Sequence, residues 1–135
     1  HTLKVGDHRD ICGLALDVHP VDHADSSIGY RFTSSSGFVV AIPGDSGPCE
    51  GLTELCRDAD IAVIECSMPD VMPIAGHMNP TTLAELVRAS GLKHLLVTHR
   101  YPAAISMDAV GNLRGMVDVR VSVPDDGESF EFDGA

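Results

Sequence analysis

The most constraining feature of the sequence is a pair of short apolar runs, DIAVIECS and LKHLLVT, on either side of one well-bounded helical stretch. Each run is bounded by polar or charged residues, as a buried parallel strand would be. Between them, Asn79 suits a helix N-cap, Pro80 suits the first helical position and Gly91 suits the end of the helix. This order of strand, helix and strand predicts a parallel β-α-β unit.

The rest of the chain adds a second helix, a further strand and two hairpins. Pro48 suits the first turn of a helix, because apolar residues recur after it at helical spacing: Leu52, Leu55, Cys56 and Ala59. ICGLALDVHPV predicts a strand, and IGYRFTSSSGFVVAIPGD predicts a hairpin that turns at residues 34–37. Residues 101–114 are predicted to be irregular, and MVDVRVSV, PDDG and ESFEF predict a closing hairpin.

Together these elements predict an α/β fold with a mixed sheet and helices on one face. Two helices can cover only one face of such a sheet. The other face would expose apolar side chains, so we expect it to be covered by a further part of the protein or by a second copy in a homo-oligomer.

Composition narrows the class of function. The 135 residues suit one domain or part of one, and a hydrophobic content of 44% allows a real core. Aromatic residues make up 4% and there is no Trp, which argues against a stacking platform for single-stranded nucleic acid. The net charge of −11, from 20 acidic and 9 basic residues, argues against a broad contact with a phosphate backbone.

The four cysteines, Cys12, Cys49, Cys56 and Cys66, form no CxxC pair, which argues against a structural zinc knuckle. All four are predicted to be buried, reduced thiols, as expected in the cytoplasm. There is no apolar run of membrane-spanning length and no signal peptide. The first residue is His rather than Met, which is compatible with a processed or truncated chain.

Three side chains of the kind that bind metals follow apolar runs: His23, Asp45 and His99. In open α/β sheets the carboxyl ends of strands meet at one edge, so we expect these three to converge. One carboxylate and two imidazoles suit zinc, and manganese or iron would accept the same donors. Taken singly, Asp45 is also explained as a turn residue in PGDSG, and the two histidines as polar surface residues.

Two further residues lie at the same predicted edge. His77 comes just before the helix of the β-α-β unit, and Glu65 ends the strand DIAVIE. His77 is equally explained as a helix-entry residue, and Glu65 as a surface residue. The remaining histidines, His1, His8, His19 and His94, are predicted to be surface or structural residues.

Four ordered segments, VDHADSSIGYRF, VVAIPGDSG, DIAVIEC and GHMNPTTLAELVRASGLKHLLVTH, resemble the C-terminal half of a metallo-β-lactamase-fold hydrolase. The resemblance covers about residues 12–100 and is strongest to the ribonuclease Z and phosphodiesterase branch. It implies that residues 1–135 are the C-terminal part of a single αββα sandwich domain.

The resemblance also implies a role for each candidate residue. His23 matches a ligand of a first metal, Asp45 matches an aspartate that bridges two metals, and His99 matches a ligand of the second. His77 matches a histidine that assists at the scissile phosphate, so His77 and Asp45 are the catalytic candidates. Glu65 matches an acid that orients the ligands without binding metal itself.

The sequence departs from the family pattern in two ways. Ser46 stands where Thr is usual in the GDT motif, and the HxHxDH motif that supplies further ligands is absent from all 135 residues. The chain would then hold half of a site for two divalent ions, expected to be zinc. There are two alternatives to this two-metal site. The chain could be a non-catalytic binding or assembly module, or it could hold a single metal with His23, Asp45 and His99.

By this resemblance a metal-activated hydroxide would attack a phosphorus or carbonyl centre. Thioesters, lactones, cyclic nucleotides and RNA ends are all substrates within this fold. The acidic charge, and the lack of a long insertion between His23 and Asp45, favour a small phosphodiester or another small ester over tRNA.

Overall fold

A computed structural model describes residues 2–131 of the chain. Its elements are β1 (His8–Ile11), β2 (Leu14–Pro20), β3 (Ile28–Thr33), β4 (Val39–Gly44), α1 (Glu50–Leu55), β5 (Ile61–Glu65), α2 (Pro80–Ser90), β6 (His94–Thr98), α3 (Pro102–Ser106), α4 (Ala109–Arg114) and β7 (Arg120–Ser122).

The seven strands lie side by side in one sheet, in the order in which they occur along the chain. Strands β1 to β4 pair antiparallel. Strands β4 to β7 pair parallel, with α1 and α2 in the connections between β4, β5 and β6. The predicted α/β fold with a mixed sheet is therefore confirmed.

The core lies between one face of the sheet and the helices. The sheet contributes alternate residues of three neighbouring strands: Val39, Ala41, Ala62, Ile64, Leu95 and Val97. The helices contribute residues from one side of each: Leu52, Leu55, Leu83, Leu86, Val87, Ala104, Val110 and Leu113. Alternate strand residues and one side of α2 face this core, which is what packing of a sheet against helices requires.

The opposite face of the sheet is apolar and only partly covered. Leu14 is 39% exposed and Ile42 is 38% exposed. A groove of about 420 Å³ runs along this face, and Phe32, Val63 and Phe130 are among the residues that line it. An apolar face of this kind agrees with the prediction that the helices cover one side only.

Helix α2 has the predicted boundaries. Asn79 Oδ1 accepts a hydrogen bond from Thr82 N at 3.0 Å, and Thr82 Oγ1 accepts one from Asn79 N at 3.0 Å. Gly91 ends the helix with φ 72°, and its N–H donates to Val87 O at 3.2 Å. This reciprocal capping and the left-handed glycine fix both ends of the helix.

The predicted strand ICGLALDVHPV is wrong at its start. A turn at Cys12 and Gly13, with φ of 54° and 84°, separates β1 from β2. Cys12 is therefore exposed, and Cys49 is only partly buried, whereas Cys56 and Cys66 are buried as predicted. The four cysteines are all free thiols.

Two other predictions fail. Residues 101–114 contain the helices α3 and α4 rather than irregular chain. The closing hairpin is replaced by β7, which pairs parallel with β6, and residues 123–131 form no strand; residue 132 of the predicted second arm lies outside the described residues. Within residues 2–131, no helix has both the length and the apolar composition needed to cross a membrane.

Candidate metal centre

Three neighbouring parallel strands bring three of the predicted side chains to one edge of the sheet. Asp45 directly follows β4, Glu65 is the last residue of β5 and His99 directly follows β6. Because the carboxyl ends of β4, β5 and β6 lie at the same edge, these residues meet although they are far apart in sequence.

Asp45 and His99 are in direct contact. His99 Nδ1 lies 2.9 Å from Asp45 Oδ1, and both side chains are about one-third exposed, at 34% and 39%. His99 has a positive φ of 42°, which is uncommon for a residue with a Cβ. The buried hydroxyl oxygen of Ser67, which also contacts Glu65, lies 3.0 Å from His99 O and packs against this backbone.

Glu65 lies beneath the cluster with its side chain 1% exposed. Its Oε1 accepts a hydrogen bond from Ser46 N at 2.9 Å, and Oε2 accepts one from the Ser67 hydroxyl. Both of its oxygens also contact His77 Nδ1, at 3.0 and 2.9 Å. A buried carboxylate with this many donors is satisfied and held in one orientation.

The contact with Glu65 sets the state of the His77 ring. A carboxylate accepts hydrogen bonds, so Nδ1 of His77 carries the proton and Nε2 of the neutral ring carries the lone pair. The His77 ring lies 5.7 Å from the His99 ring, measured between centroids. Nε2 of His77 is therefore the atom available to a cation or to a substrate.

His23 is placed one ring further out, in the exposed connection between β2 and β3. Its Nδ1 lies 3.0 Å from Gly76 O, which can only accept, so Nε2 of the neutral ring carries the lone pair. The centroids of the His23 and His77 rings are 5.0 Å apart. A histidine whose Nδ1–H is held by a carbonyl is oriented as metal-binding histidines usually are.

The described residues contain one set of three metal-type side chains whose ligand atoms all lie within 4.8 Å of one another: Asp45, His77 and His99. Geometry thus adds His77 to two of the three predicted ligands, and His23 adjoins the set. The predicted ligand set of His23, Asp45 and His99 stays a prediction.

The donor set fits a divalent metal. A carboxylate and two or three imidazoles are the usual ligands of zinc, and manganese and iron accept the same donors. The spacing suits the ligands of one ion or of two neighbouring ions. Burial raises the pKa of the adjacent Cys66 to about 12, so this cysteine stays a protonated thiol and is a poor metal ligand.

Ser46 links the two segments that carry His23 and Asp45. The side chain is 1% exposed; its hydroxyl donates to Gly47 O at 2.7 Å and accepts from Asp22 N at 3.1 Å. The hydroxyl is the group that Ser shares with Thr, so the departure from the family's motif keeps the contact.

Sequence reasoning missed two residues of the site. The Ser67 hydroxyl contacts both Glu65 and His99, and the Tyr101 ring lies 5.0 Å from the His99 ring and 6.0 Å from the His77 ring. Each stands two positions after a predicted site residue, a short distance past the end of a buried strand. That spacing was the available signal.

The other histidines have different surroundings. His94 is buried, with Nε2 3.0 Å from Ser122 Oγ, and His8 is exposed and lies 2.7 Å from Asp17. His1 lies outside the described residues.

Comparison with known proteins gives relatives by sequence. An uncharacterized protein of Mycobacterium leprae is 32% identical over 123 residues, which are 87% of this chain and 43% of that protein. A ribonuclease BN of Cronobacter sakazakii is 33% identical over 109 residues, which are 76% of this chain and 31% of that protein. No protein-family model matches. The chain spans less than half the length of these relatives.

Solved structures agree on the fold. The metallo-β-lactamase fold protein YhfI from Bacillus subtilis superposes with a TM-score of 0.84 at 18% identity, over 96% of this chain and 54% of that one. The short form of human tRNase Z gives 0.65 at 20% identity, over 87% and 43%. A diphosphatase from the PhnP family gives 0.68 at 21% identity, over 95% and 47%. The chain therefore has the metallo-β-lactamase fold and carries about half of it.

Proposed function

We propose that the protein containing this chain is a metal-dependent hydrolase of small phosphodiesters or other small esters. The observation that carries the proposal is the convergence of Asp45, His77 and His99 above the buried Glu65. Divalent cations held there would lower the pKa of a water toward about 7, so that it attacks an ester at neutral pH.

The chain's own residues divide the remaining work. Asp45 has two oxygens and a partly exposed side chain, so it can hold one cation or bridge two. With Nδ1–H of His77 held by Glu65, its Nε2 can exchange a proton with the oxygen of the leaving group. General acid–base help of this kind is typically worth roughly 10²–10⁴-fold in rate.

A complete site would need ligands that this chain does not carry. The HxHxDH motif is absent from the sequence, and the chain covers 43% of its Mycobacterium leprae relative. The uncovered apolar face of the sheet supports an N-terminal half, a partner subunit or a second copy packed against it. We propose the N-terminal half first, because one segment would then supply both the ligands and the cover.

The substrate class follows from charge and from the solved relatives. A net charge of −11 disfavours long nucleic acids unless a basic segment lies outside this chain. Among the similar structures are a tRNase Z and a diphosphatase, whose names denote chemistry at phosphorus. A small phosphodiester is therefore the first substrate to test.

The free thiols agree with the predicted cytoplasmic location.

The test uses the full-length protein, with metal content measured by mass spectrometry and hydrolysis measured with bis(p-nitrophenyl) phosphate. We expect about two equivalents of zinc, and loss of both metal and hydrolysis in Asp45→Ala and His99→Ala. His94→Ala is the control, because His94 is buried away from solvent and bonded to Ser122. Normal metal loading in Asp45→Ala would contradict the proposal.

Two further variants separate the ligands from the proton donor. If His23 is the ligand and His77 the proton donor, His23→Ala lowers the metal content and His77→Ala lowers only the rate. If instead His77 is the ligand, as its grouping with Asp45 and His99 indicates, His77→Ala lowers the metal content and His23→Ala lowers only the rate. One equivalent of metal would favour the single-metal site, and none would favour the binding or assembly module.

A further inference from the structure

Residues 68–78 form a loop within the connection between β5 and α2, at the edge of the sheet that carries the candidate metal centre. Its two ends are held together, because Met68 N donates to Met78 O at 3.4 Å. Met68 and Met78 are both buried, at 6% and 0% exposure. The base of this 68–78 loop is therefore fixed in the core, and His77 near its end belongs to the metal centre.

The tip of the loop is apolar and exposed. Val71 is 72% exposed, Met72 is 50% exposed and Ile74 is 46% exposed. Ile74 lies close to the centre, because His77 N donates to Ile74 O at 3.3 Å. Three exposed apolar residues within four positions of one loop, which also carries His77, mark a binding surface more often than scattered ones do.

Tyr101 adds an aromatic ring next to the same two histidines. It is 39% exposed, and its ring lies edge-on to the His99 ring at 5.0 Å and to the His77 ring at 6.0 Å. Its N–H donates to Ser67 O at 3.2 Å, which fixes its backbone to the loop that leaves β5. We call this set of exposed residues the apolar rim: Val71, Met72, Ile74 and Tyr101.

The loop offers little to a charged polymer. Its one acidic or basic residue apart from His77 is Asp70, and Asp70 Oδ1 accepts a hydrogen bond from Thr81 N at 2.9 Å, in the first turn of α2. With no Lys or Arg in the loop, a polyanion would find no cation there. Aliphatic side chains, a thioether and a phenol ring instead suit an uncharged aromatic group.

We propose that the apolar rim binds an uncharged aromatic group of the substrate, next to the ester or phosphate held at the metal centre. The proposal rests on the proposed hydrolase function and narrows its substrate class to aryl-bearing small esters. The rim then sets specificity, whereas Asp45, His77 and His99 serve the chemistry.

The experiment compares two ligands with one anionic head group. Phenylphosphonate and methylphosphonate are titrated by calorimetry into the metal-loaded, full-length protein. We expect phenylphosphonate to bind about tenfold more tightly, at the lower end of what an apolar group contributes to discrimination. In the variant Val71→Ser/Met72→Ser/Ile74→Ser this preference should vanish, while the affinity for methylphosphonate stays within about twofold.

A matched control changes exposed apolar residues elsewhere. Val5, which precedes β1, is 52% exposed, and Ile11, the last residue of β1, is 43% exposed. Val5→Ser/Ile11→Ser should keep the full preference for phenylphosphonate. Equal affinity of the two phosphonates for the unaltered protein, or a preference that survives in the loop variant, would overturn the proposal.

Hydrolysis of bis(p-nitrophenyl) phosphate, measured in parallel, separates the two proposals. A protein that hydrolyses this ester without preferring phenylphosphonate contradicts the apolar rim alone. One that prefers phenylphosphonate but hydrolyses nothing supports the rim and contradicts the hydrolase.

Discussion

The two ends of β5 and β6 carry different partners for their carboxylates. At the amino ends, the carboxylate of Asp60 lies between donors that keep their protons. At the carboxyl ends, the carboxylates face imidazoles. Asp60 Oδ2 accepts a hydrogen bond from Val39 N at 2.8 Å, and its Oδ1 accepts one from Lys93 Nζ at 2.7 Å. At the other end Glu65 contacts His77 and Asp45 contacts His99. The same strands therefore carry acid–base pairs of two kinds.

The difference between the two ends is chemical rather than geometric. Lysine and the backbone amide hold their protons at neutral pH, so the pairs at the amino end stabilise the fold and do little else. An imidazole exchanges protons near neutral pH and binds cations when neutral. Pairs of carboxylate and imidazole at the carboxyl end are therefore suited to a reaction, and those at the amino end to structure.

Glu65→Gln should have the largest effect and would test the carboxyl end. Gln replaces one carboxylate oxygen with an NH₂ donor, so the group that donates to that oxygen loses its acceptor: the Ser67 hydroxyl at Oε2 or the Ser46 N–H at Oε1. One of the two oxygen contacts to His77 Nδ1 is lost in either case. We expect a loss of roughly 10–100-fold in zinc affinity or activity, typical for groups that orient ligands. Competition with a chelator measures the affinity.

Glu85→Gln is the matched control for this change. It removes the same charge, but from an exposed position on α2. It should leave the zinc affinity unchanged. If Glu65→Gln binds zinc as tightly as this control does, the carboxylate is not an orienting group.

Asp60→Ala should have an intermediate effect and would test the amino end. Val39 N–H and Lys93 lose their acceptor, which should cost about 1–3 kcal/mol of the free energy of unfolding at pH 7. Urea denaturation measures this loss, and zinc affinity should not change. A loss of zinc affinity equal to that of Glu65→Gln would remove the distinction between the two ends.

The pH dependence of this loss has a fixed sign. Burial alone would raise the pKa of Asp60, but the hydrogen bonds from Lys93 and Val39 outweigh it, and the pKa lies below its usual value of 3.8. The stability that the carboxylate contributes is therefore present above about pH 4 and disappears as the pH falls through the lowered pKa. The difference between the native protein and Asp60→Ala should shrink in acid.

The parts that sequence predicted correctly depend on neighbours in the chain. Helix α2 is an example, since Asn79, Pro80 and Gly91 fix its ends through contacts within four residues. The meeting of Asp45, Glu65 and His99 also follows from sequence, because the order of strand, helix and strand requires a parallel sheet.

The parts that were missed depend on short elements or distant contacts. Helix α3 has five residues, which is too short for a helical periodicity to be recognised. Its N-cap Tyr101 makes no side-chain hydrogen bond, so no capping residue predicts the helix either. The contact of His77 with Glu65 depends on how the 68–78 loop closes, which Met68 and Met78 fix across ten residues. No local rule predicts the path of such a loop, so the sequence placed His77 at the same edge as Asp45, whereas its contact with Glu65 came only from the structure.

His94→Gln should have the smallest effect, and it tests the buried histidine at the amino end of β6. Burial, together with the nearby charge of Arg120, lowers the pKa of His94 below its usual value of 6.5. The unfolded chain therefore binds a proton at this residue before the folded chain does, and stability falls as the pH drops from about 6.5 toward the lowered pKa. Gln does not titrate but can still bond to Ser122, so the variant should lose less stability than the native protein between pH 7 and pH 5. Parallel denaturation curves measure this difference. Equal losses would mean that His94 titrates alike in the folded and unfolded chain, which would contradict the lowered pKa.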